Sequence, residues 1–317
     1  MSRRRLAGAS TAVGTGLAVV AVAFVVRFIA RDWEAVRDSL AGARPGWIVA
    51  AAVLAAAGMA AIAVPWRRAL RMLGGDLPLD ETLTRYFVGE IGKYLPGGVW
   101  PVVGRGEMAA RAGVGRSAAY GSVALSLAAL YLCAMLLVLA ALPAMVAGGG
   151  SLAYLWVLVV LPLGVAGLHH QVLDGLRRLA ERVARRSFDV TIPPWRDSLV
   201  LLAQYVPAWL CIGTATWLVA QGLGQDAGWL EVAPAAVLSW IVGFVLVPVP
   251  GGVGVREAAF VAAATSLDPG VGAAVAITAR LLFVLVDAVG FGLASAQLAH
   301  RRSVGRSGAG RYATDPS

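Results

Sequence analysis

The stretch Gly89-Glu90-Ile91-Gly92-Lys93-Tyr94-Leu95-Pro96-Gly97-Gly98-Val99 recurs as Gly243-Phe244-Val245-Leu246-Val247-Pro248-Val249-Pro250-Gly251-Gly252-Val253. The two copies align at a constant offset of 154 residues, with Gly89 on Gly243. A basic and an acidic residue follow each copy, namely Arg105 and Glu107, then Arg256 and Glu257. We interpret the two stretches as an internal repeat, since this register and the trailing charges rarely arise together by chance.

The composition around the repeat is that of a membrane protein. Of 317 residues, 59% are hydrophobic and 14% are charged, against about 25% charged in soluble domains. Mean hydropathy is +0.74. The 27 Lys and Arg exceed the 18 Asp and Glu, but they flank apolar runs, which indicates topology and not nucleic-acid binding. Cys133 and Cys211 lie in apolar runs without a Cys/His cluster. We therefore expect no disulfide framework, metal site or cofactor, and exclude soluble modules.

Six apolar runs are long enough to cross about 30 Å of hydrocarbon. They are 6–29, 46–65, 117–146, 152–168, 198–223 and 271–298. The pieces 81–95 and 231–247, which precede the Pro-Gly-Gly sequences, are helical in pattern but marginal in length. The sequence thus predicts an all-α, polytopic integral membrane helix bundle with two re-entrant or broken helices. We assign residues 1–302 to this domain, with repeat halves at about 80–146 and 231–299, and 303–317 to a disordered cytoplasmic tail.

Arginine placement predicts the orientation, because Lys and Arg in short loops stay on the cytoplasmic side. If both termini are cytoplasmic, most arginine-rich loops are also cytoplasmic, and the 27–44 loop is the one exception. We expect a multi-pass protein of the cell membrane. As a helix, the segment 171–186 would have one apolar face and one basic face, which favours a helix that lies on the cytoplasmic leaflet. A solvated linker is the alternative.

Three spans separate the two copies, so they enter from opposite faces, as in the inverted repeats of transporters. Proline ends each incoming helix, and glycine permits a tight reversal. A helix that starts after each loop then directs N–H groups toward a cavity suited to a phosphate headgroup. Ordinary interfacial turns are the alternative. The residues concerned are Pro96, Gly97, Gly98, Pro250, Gly251 and Gly252.

Ionisable residues in apolar surroundings are functional candidates, because burying each costs a few kcal/mol. Arg280 and Asp287 share one helix face but stand about 10 Å apart, too far to pair. We expect Glu257 or Glu107 to pair with Arg280, and Arg256 or Arg105 with Asp287. The alternatives are purely structural pairs and, for Lys93, snorkelling to the interface. The candidates are Glu90, Lys93, Arg105, Glu107, Arg256, Glu257, Arg280 and Asp287.

The chain resembles the family named for the transmembrane region of lysylphosphatidylglycerol synthase, a flippase-like membrane domain. The resemblance covers nearly the whole chain. It rests on 92–100 with Gly104-Arg105-Gly106-Glu107 and Arg111, on Pro248 with 250–257, and on Arg280. In the synthase, such a domain is implied to move a lysyl-lipid that a separate soluble domain makes. We expect no such catalytic domain after Leu298. Where the family commonly carries a Glu-Arg pair, 124–131 is uncharged.

The leading hypothesis is a non-enzymatic lipid translocase without catalytic residues. Its expected partner is an anionic phospholipid or a polyprenyl-phosphate lipid. We expect it not to bind nucleic acid. No GxxxxGK[ST] sequence occurs, so any driving force is a gradient or downhill flow. One alternative is a membrane-embedded lipid-phosphate transferase with Glu107 or Glu257 as base. Another is an accessory subunit of a cell-envelope glycosyltransferase or synthase.

Overall fold

The computed structural model describes residues 37, 42–94, 99–147, 157–185, 187, 190–245 and 254–312, and regular structure in these residues is entirely helical. This confirms the predicted all-α class. The helices are α1 (Pro45–Met72), α2 (Leu79–Glu90), a 3-10 helix (Ile91–Tyr94), α3 (Trp100–Arg111), α4 (Arg116–Ala147), α5 (Val157–Gly167), α6 (His170–Ala184), α7 (Trp195–Ala203), α8 (Val206–Gly222), α9 (Trp229–Val245), α10 (Val255–Ala263) and α11 (Pro269–Tyr312).

Four described segments are long and apolar enough to cross a membrane, so the protein is a multi-pass membrane protein. They are α1, α4, α7 with α8 (Trp195–Gly222), and α11 as far as Arg301. These match four of the six predicted spans. The predicted span 6–29 lies outside the described residues, and of 152–168 the structure describes the part from residue 157 onward.

The core lies between α1, α4, α8 and α9, where large side chains are sealed from solvent. Trp66 of α1 and Trp209 of α8 are 0% and 1% exposed. The Trp209 indole donates to the Leu130 carbonyl oxygen at 2.8 Å, which satisfies a polar group that would otherwise be costly in this core. Gly58 allows α1 and α8 to approach closely, since a Cβ there would lie 3.2 Å from the Ala208 carbonyl oxygen.

Each short helix pair forms an antiparallel hairpin. In the first, Gly89 lies against Arg105, and the Arg85 guanidinium donates to the Met108 carbonyl oxygen at 3.2 Å. In the second, Gly243 lies against Arg256. In the first hairpin, the earlier residue of α2 thus contacts the later residue of α3, which is the pattern of antiparallel helices. A second-hairpin contact continues this register at its far end, where the Ser266 N–H donates to Glu231 Oε1 at 2.5 Å.

The two hairpins exchange partners between two related units, α1–α4 and α8–α11. The first hairpin helix, α2, packs on α11, and its counterpart α9 packs on α4. The leading helices α1 and α8 pack on each other and run antiparallel. The Arg44 N–H donates to the Gly222 carbonyl oxygen at 2.8 Å, while Gly58 lies beside Ala208. Because equivalent helices run in opposite directions, the units have the chain directions of an inverted repeat.

A further repeat signal lies upstream of the one described in the sequence. Leu73-Gly74-Gly75-Asp76 recurs as Leu223-Gly224-Gln225-Asp226, after α1 and α8 respectively. Gly74 and Gly224 have φ of +88° and +78°, the left-handed conformation that ends many helices and that glycine adopts without penalty. The repeated unit therefore starts with the spans α1 and α8, before residues 80 and 231.

Most of the arginine-rich segments meet at one end of the bundle. Arg68, near the end of α1, pairs with Asp197 of α7 at 3.0 Å, and Arg301 of α11 pairs with Asp80. Arg44 lies at the opposite end, beside Gly222. Helix α11 continues beyond Arg301 through residues 303–312 to Tyr312. A helix already nucleated in the membrane propagates readily where no proline interrupts it.

Helix α6 carries the amphipathic pattern predicted for 171–186. Leu176 and Val183 are 56% and 79% exposed, so its apolar face is available to lipid. On the polar face, the Arg177 guanidinium hydrogen-bonds to Asp174 and holds the pKa of that carboxyl below its usual value. This agrees with the predicted helix on a membrane surface.

Cysteine labelling tests the orientation. In a variant that lacks Cys133 and Cys211, we expect Arg178→Cys, on α6, to react from the cytoplasmic side and Asp226→Cys, after α8, from the other side, because the arginine-rich end stays cytoplasmic. Both residues are exposed. Labelling of both from the same side, or in the reverse sense, contradicts the orientation.

Candidate functional site

Five of the predicted charged residues line one cavity of about 70 Å³, where the two hairpins meet α11. The first hairpin contributes the end of its 3-10 helix, and the second contributes α9 and α10. Helix α11 contributes residues from Ala276 to Asp287, about three turns. The charged lining residues are Lys93, Arg256, Glu257, Arg280 and Asp287.

Asp287 is held by the first hairpin. Its Oδ2 lies 2.6 Å from Lys93 Nζ and accepts a hydrogen bond of 2.6 Å from the Tyr94 hydroxyl. The predicted partners of Asp287, Arg256 or Arg105, were therefore wrong. The reason is tertiary, since α2 and its 3-10 extension pack on α11 and deliver Lys93 there. The Asp287 side chain is 3% exposed.

Arg280 pairs with Glu257, as predicted, with Nη1 and Oε1 2.5 Å apart. The Arg280 and Glu257 side chains are 9% and 15% exposed. This pair joins α10 to α11, because Glu257 lies in the first turn of α10 and Arg280 lies near the middle of the membrane-crossing part of α11. The second hairpin is thereby fixed to the same helix that holds the first.

A second layer of charge lies behind Lys93. Glu90 Oε1 is 3.6 Å from Lys93 Nζ, and Glu90 Oε2 is 3.7 Å from Arg105 Nε. The Arg105 side chain is 1% exposed and lies beside the aromatic rings of Trp66 and Tyr86, 6.0 and 5.5 Å from their centroids. These rings attract a buried cation. Arg105, Glu90, Lys93 and Asp287 thus form one chain of alternating charge.

Arg256 differs from the other cations of the cavity. Its guanidinium carbon lies 4.4 Å from the centroid of the Trp240 ring, and its buried Nε has no hydrogen-bond partner. Across the described part of the chain, no carboxylate lies within ion-pair distance of Arg256. The described lining residues therefore comprise three cations and two carboxylates, which leaves an excess of one positive charge at Arg256.

Several predicted site residues are not in this cavity. Glu107 accepts from Arg111 at 2.9 Å, toward the end of α3, and does not line the cavity. Glu90 and Arg105 contact it only through Lys93. The six loop residues Pro96, Gly97, Gly98, Pro250, Gly251 and Gly252 lie outside the described residues.

Sequence reasoning missed two aromatic members of the site, Tyr94 and Trp240. Tyr94 follows Lys93 in the repeated stretch, and its hydroxyl in an apolar segment was a signal that a buried acceptor was needed. Trp240 stands three residues before Gly243, one turn away on the face that meets Arg256. That spacing could have indicated an aromatic surface for the arginine.

A family model for the lysylphosphatidylglycerol synthase TM region matches residues 12–294. The chain belongs to this family. The match includes both hairpins and every described residue that lines the cavity. Membership of the lysylphosphatidylglycerol synthase TM family relates the protein to lipid handling in membranes. Among curated proteins, none matches the chain.

Proposed function

We propose that the protein is a non-enzymatic lipid translocase, which moves a phospholipid or a polyprenyl-phosphate-linked lipid across the cell membrane. The observation that supports this most directly is the cavity between the hairpins, whose excess positive charge lies on Arg256. Arg256 is partly buried, and a cation in an apolar bundle without a nearby counterion is costly. A transient anionic ligand would offset that cost whenever it occupied the cavity.

The size of the cavity suits a headgroup and excludes a whole lipid. At 10–15 Å³ for each water molecule, about 70 Å³ has room for roughly five. A phosphate group and its nearest atoms fit such a space, whereas two acyl chains do not. In this mechanism the headgroup passes through the protein while the acyl chains remain in the bilayer.

The hairpins supply the means of access. The second helix of each hairpin is short: α3 has 12 residues and α10 has 9, which correspond to about 18 and about 14 Å, against the roughly 30 Å that a span requires. We infer that both hairpins are re-entrant and enter from opposite faces. Since each hairpin rests on a long helix of the other unit, rocking of one unit against the other would open the cavity to each side in turn.

Translocation is tested in liposomes that contain the purified full chain and a headgroup-labelled phospholipid. We expect the label to become accessible to a membrane-impermeant quencher in both leaflets, and only one leaflet to be quenched in protein-free liposomes. A chemically altered lipid would instead indicate the transferase. If the assay shows no lipid exchange and no lipid product, translocation by this protein is refuted and the accessory-subunit hypothesis remains.

Arg256→Gln is expected to lower the translocation rate at least about tenfold, because a charge-assisted contact to the headgroup is worth 1.5–3 kcal/mol. The matched control is Arg178→Gln, which removes a 60% exposed arginine of α6 and should leave the rate unchanged. Equal rates for wild type and Arg256→Gln, both present at normal levels, would contradict the assignment of this cavity.

A further inference from the structure

We infer that the cavity selects headgroups that carry a single negative charge, of the phosphodiester class, over phosphate monoesters and diphosphates; this rests on the proposed function. Among the described residues, the cavity is lined by three cations, Lys93, Arg256 and Arg280, and by two carboxylates, Glu257 and Asp287. The adjoining pair, Glu90 and Arg105, is neutral as a whole. One anionic charge therefore neutralises the site.

The two sequence segments that follow Tyr94 and Val245 lie outside the described residues, and their composition leaves this balance unchanged. Residues 95–98 are Leu-Pro-Gly-Gly, and 246–253 are Leu-Val-Pro-Val-Pro-Gly-Gly-Val. These segments contribute no ionisable side chain. The charges counted among the described lining residues are therefore not offset by either of these two segments.

The division of labour among the cations follows from their partners. Lys93 is held at 2.6 Å by Asp287, and Arg280 at 2.5 Å by Glu257. These two cations position the hairpins against α11. The guanidinium carbon of Arg256 lies 4.4 Å from the centroid of the Trp240 ring, a contact that requires none of the N–H donors of the arginine. Arg256 is thus the binding residue, with donors suited to two phosphate oxygens.

A second negative charge on the ligand would lack a counterion. In a poorly hydrated site an uncompensated charge costs several kcal/mol, so a monoester binds best in its monoanionic form. Its second pKa is near 6, and at pH 7 only about a tenth of it is monoanionic. We expect a preference for the diester of about tenfold at pH 7, which increases as pH rises and the monoanionic fraction falls.

The test is calorimetric titration of the detergent-purified full chain with two soluble probes, sn-glycero-3-phosphoglycerol and glycerol 3-phosphate. Wild type is expected to favour the diester about tenfold at pH 7. Arg256→Gln should weaken the diester at least about tenfold, whereas Arg178→Gln should change nothing. Equal affinity of wild type for both probes would overturn the inference.

Changing the charge of the cavity provides an independent test. Glu257→Gln retains a hydrogen-bond acceptor for Arg280 but raises the excess charge to two, so it should abolish or reverse the preference for the diester. If Glu257→Gln does not fold, Asp287→Asn makes the same change of charge beside Lys93. An unchanged preference in a folded variant would refute selection by charge.

A binding experiment with lipids distinguishes a phosphodiester carried on a lipid headgroup from a free, soluble phosphodiester. Nanodiscs with phosphatidylglycerol or phosphatidic acid present the diester or the monoester on a lipid, and wild type should favour phosphatidylglycerol. Selectivity for the soluble diester alone would assign the cavity to a free phosphodiester and overturn the lipid assignment. Selective lipid binding without exchange in liposomes would instead refute translocation and leave the inference standing.

Discussion

Asp287→Ala is expected to destabilise the protein by about 3–5 kcal/mol, the largest effect of any single charge removal at the site. In the wild type, Lys93 Nζ lies 2.6 Å from the Asp287 carboxylate. The variant removes this nearest counterion of Lys93 inside the bundle. It also takes the acceptor from the Tyr94 hydroxyl. Equilibrium unfolding of the detergent-solubilised protein, followed by circular dichroism, measures the loss.

Two further variants show whether a loss of stability in Asp287→Ala comes from the unpaired charge of Lys93. Asp226→Ala, at an exposed position after α8, is the matched control and should fall within about 0.5 kcal/mol of wild type. The double variant Lys93→Met with Asp287→Leu replaces the pair with apolar groups and should recover most of the stability. A loss of less than 1 kcal/mol for Asp287→Ala would mean that Lys93 is not buried with this partner.

Gly89→Val is expected to cost about 3 kcal/mol or more by overpacking, and to separate the helices of the first hairpin. A Cβ at Gly89 would lie 2.8 Å from the backbone nitrogen of Arg105, and backbone cannot move aside as a flexible side chain does. Gly104 meets the Gly89 carbonyl oxygen in the same way, at 2.8 Å. The measurement is again equilibrium unfolding.

The control for Gly89→Val is Gly175→Val on α6, where no atom lies within 4 Å of the added Cβ. Its stability should differ little from wild type, since Gly and Val differ by only a few tenths of a kcal/mol in helix propensity. Equal stability of Gly89→Val and Gly175→Val would show that α2 and α3 are not in close contact.

Gly243→Ala distinguishes the second hairpin from the first. Its Cβ would overlap the Arg256 side chain and not the backbone. The side chain yields more readily, so the expected stability loss is smaller than at Gly89, but Arg256 would be displaced from Trp240. We expect headgroup binding to decrease more than stability does.

The fold class and four spans were predictable because long apolar runs leave a chain few alternatives to membrane helices. The pair Arg280 and Glu257 was also predictable, since an arginine in the middle of a span requires a nearby acid. The partner of Asp287 was not. That pairing depends on α2 packing against α11, a long-range contact that hydropathy and spacing do not encode.

The same limit explains the other misses. Glu107 follows Arg105 in sequence, which suggested a shared role, yet a two-residue step on a helix turns the side chain to another face. Arg105 is 1% exposed while Glu107 is 32% exposed. Tyr94 and Trp240 carried local signals in the sequence, but that both side chains line the same cavity depends on which helices pack together.

The exchange of hairpins between units sets an order for biogenesis. Tyr94 and Asp287 are 193 residues apart, which corresponds to roughly 10–40 s of synthesis at 5–20 residues per second. During that interval the first hairpin has only its own Glu90 to balance Lys93 and Arg105. Helix α11 leaves the ribosome long after the first hairpin and carries the carboxylate that completes the charge network of that hairpin, so the network is complete only once α11 has been made.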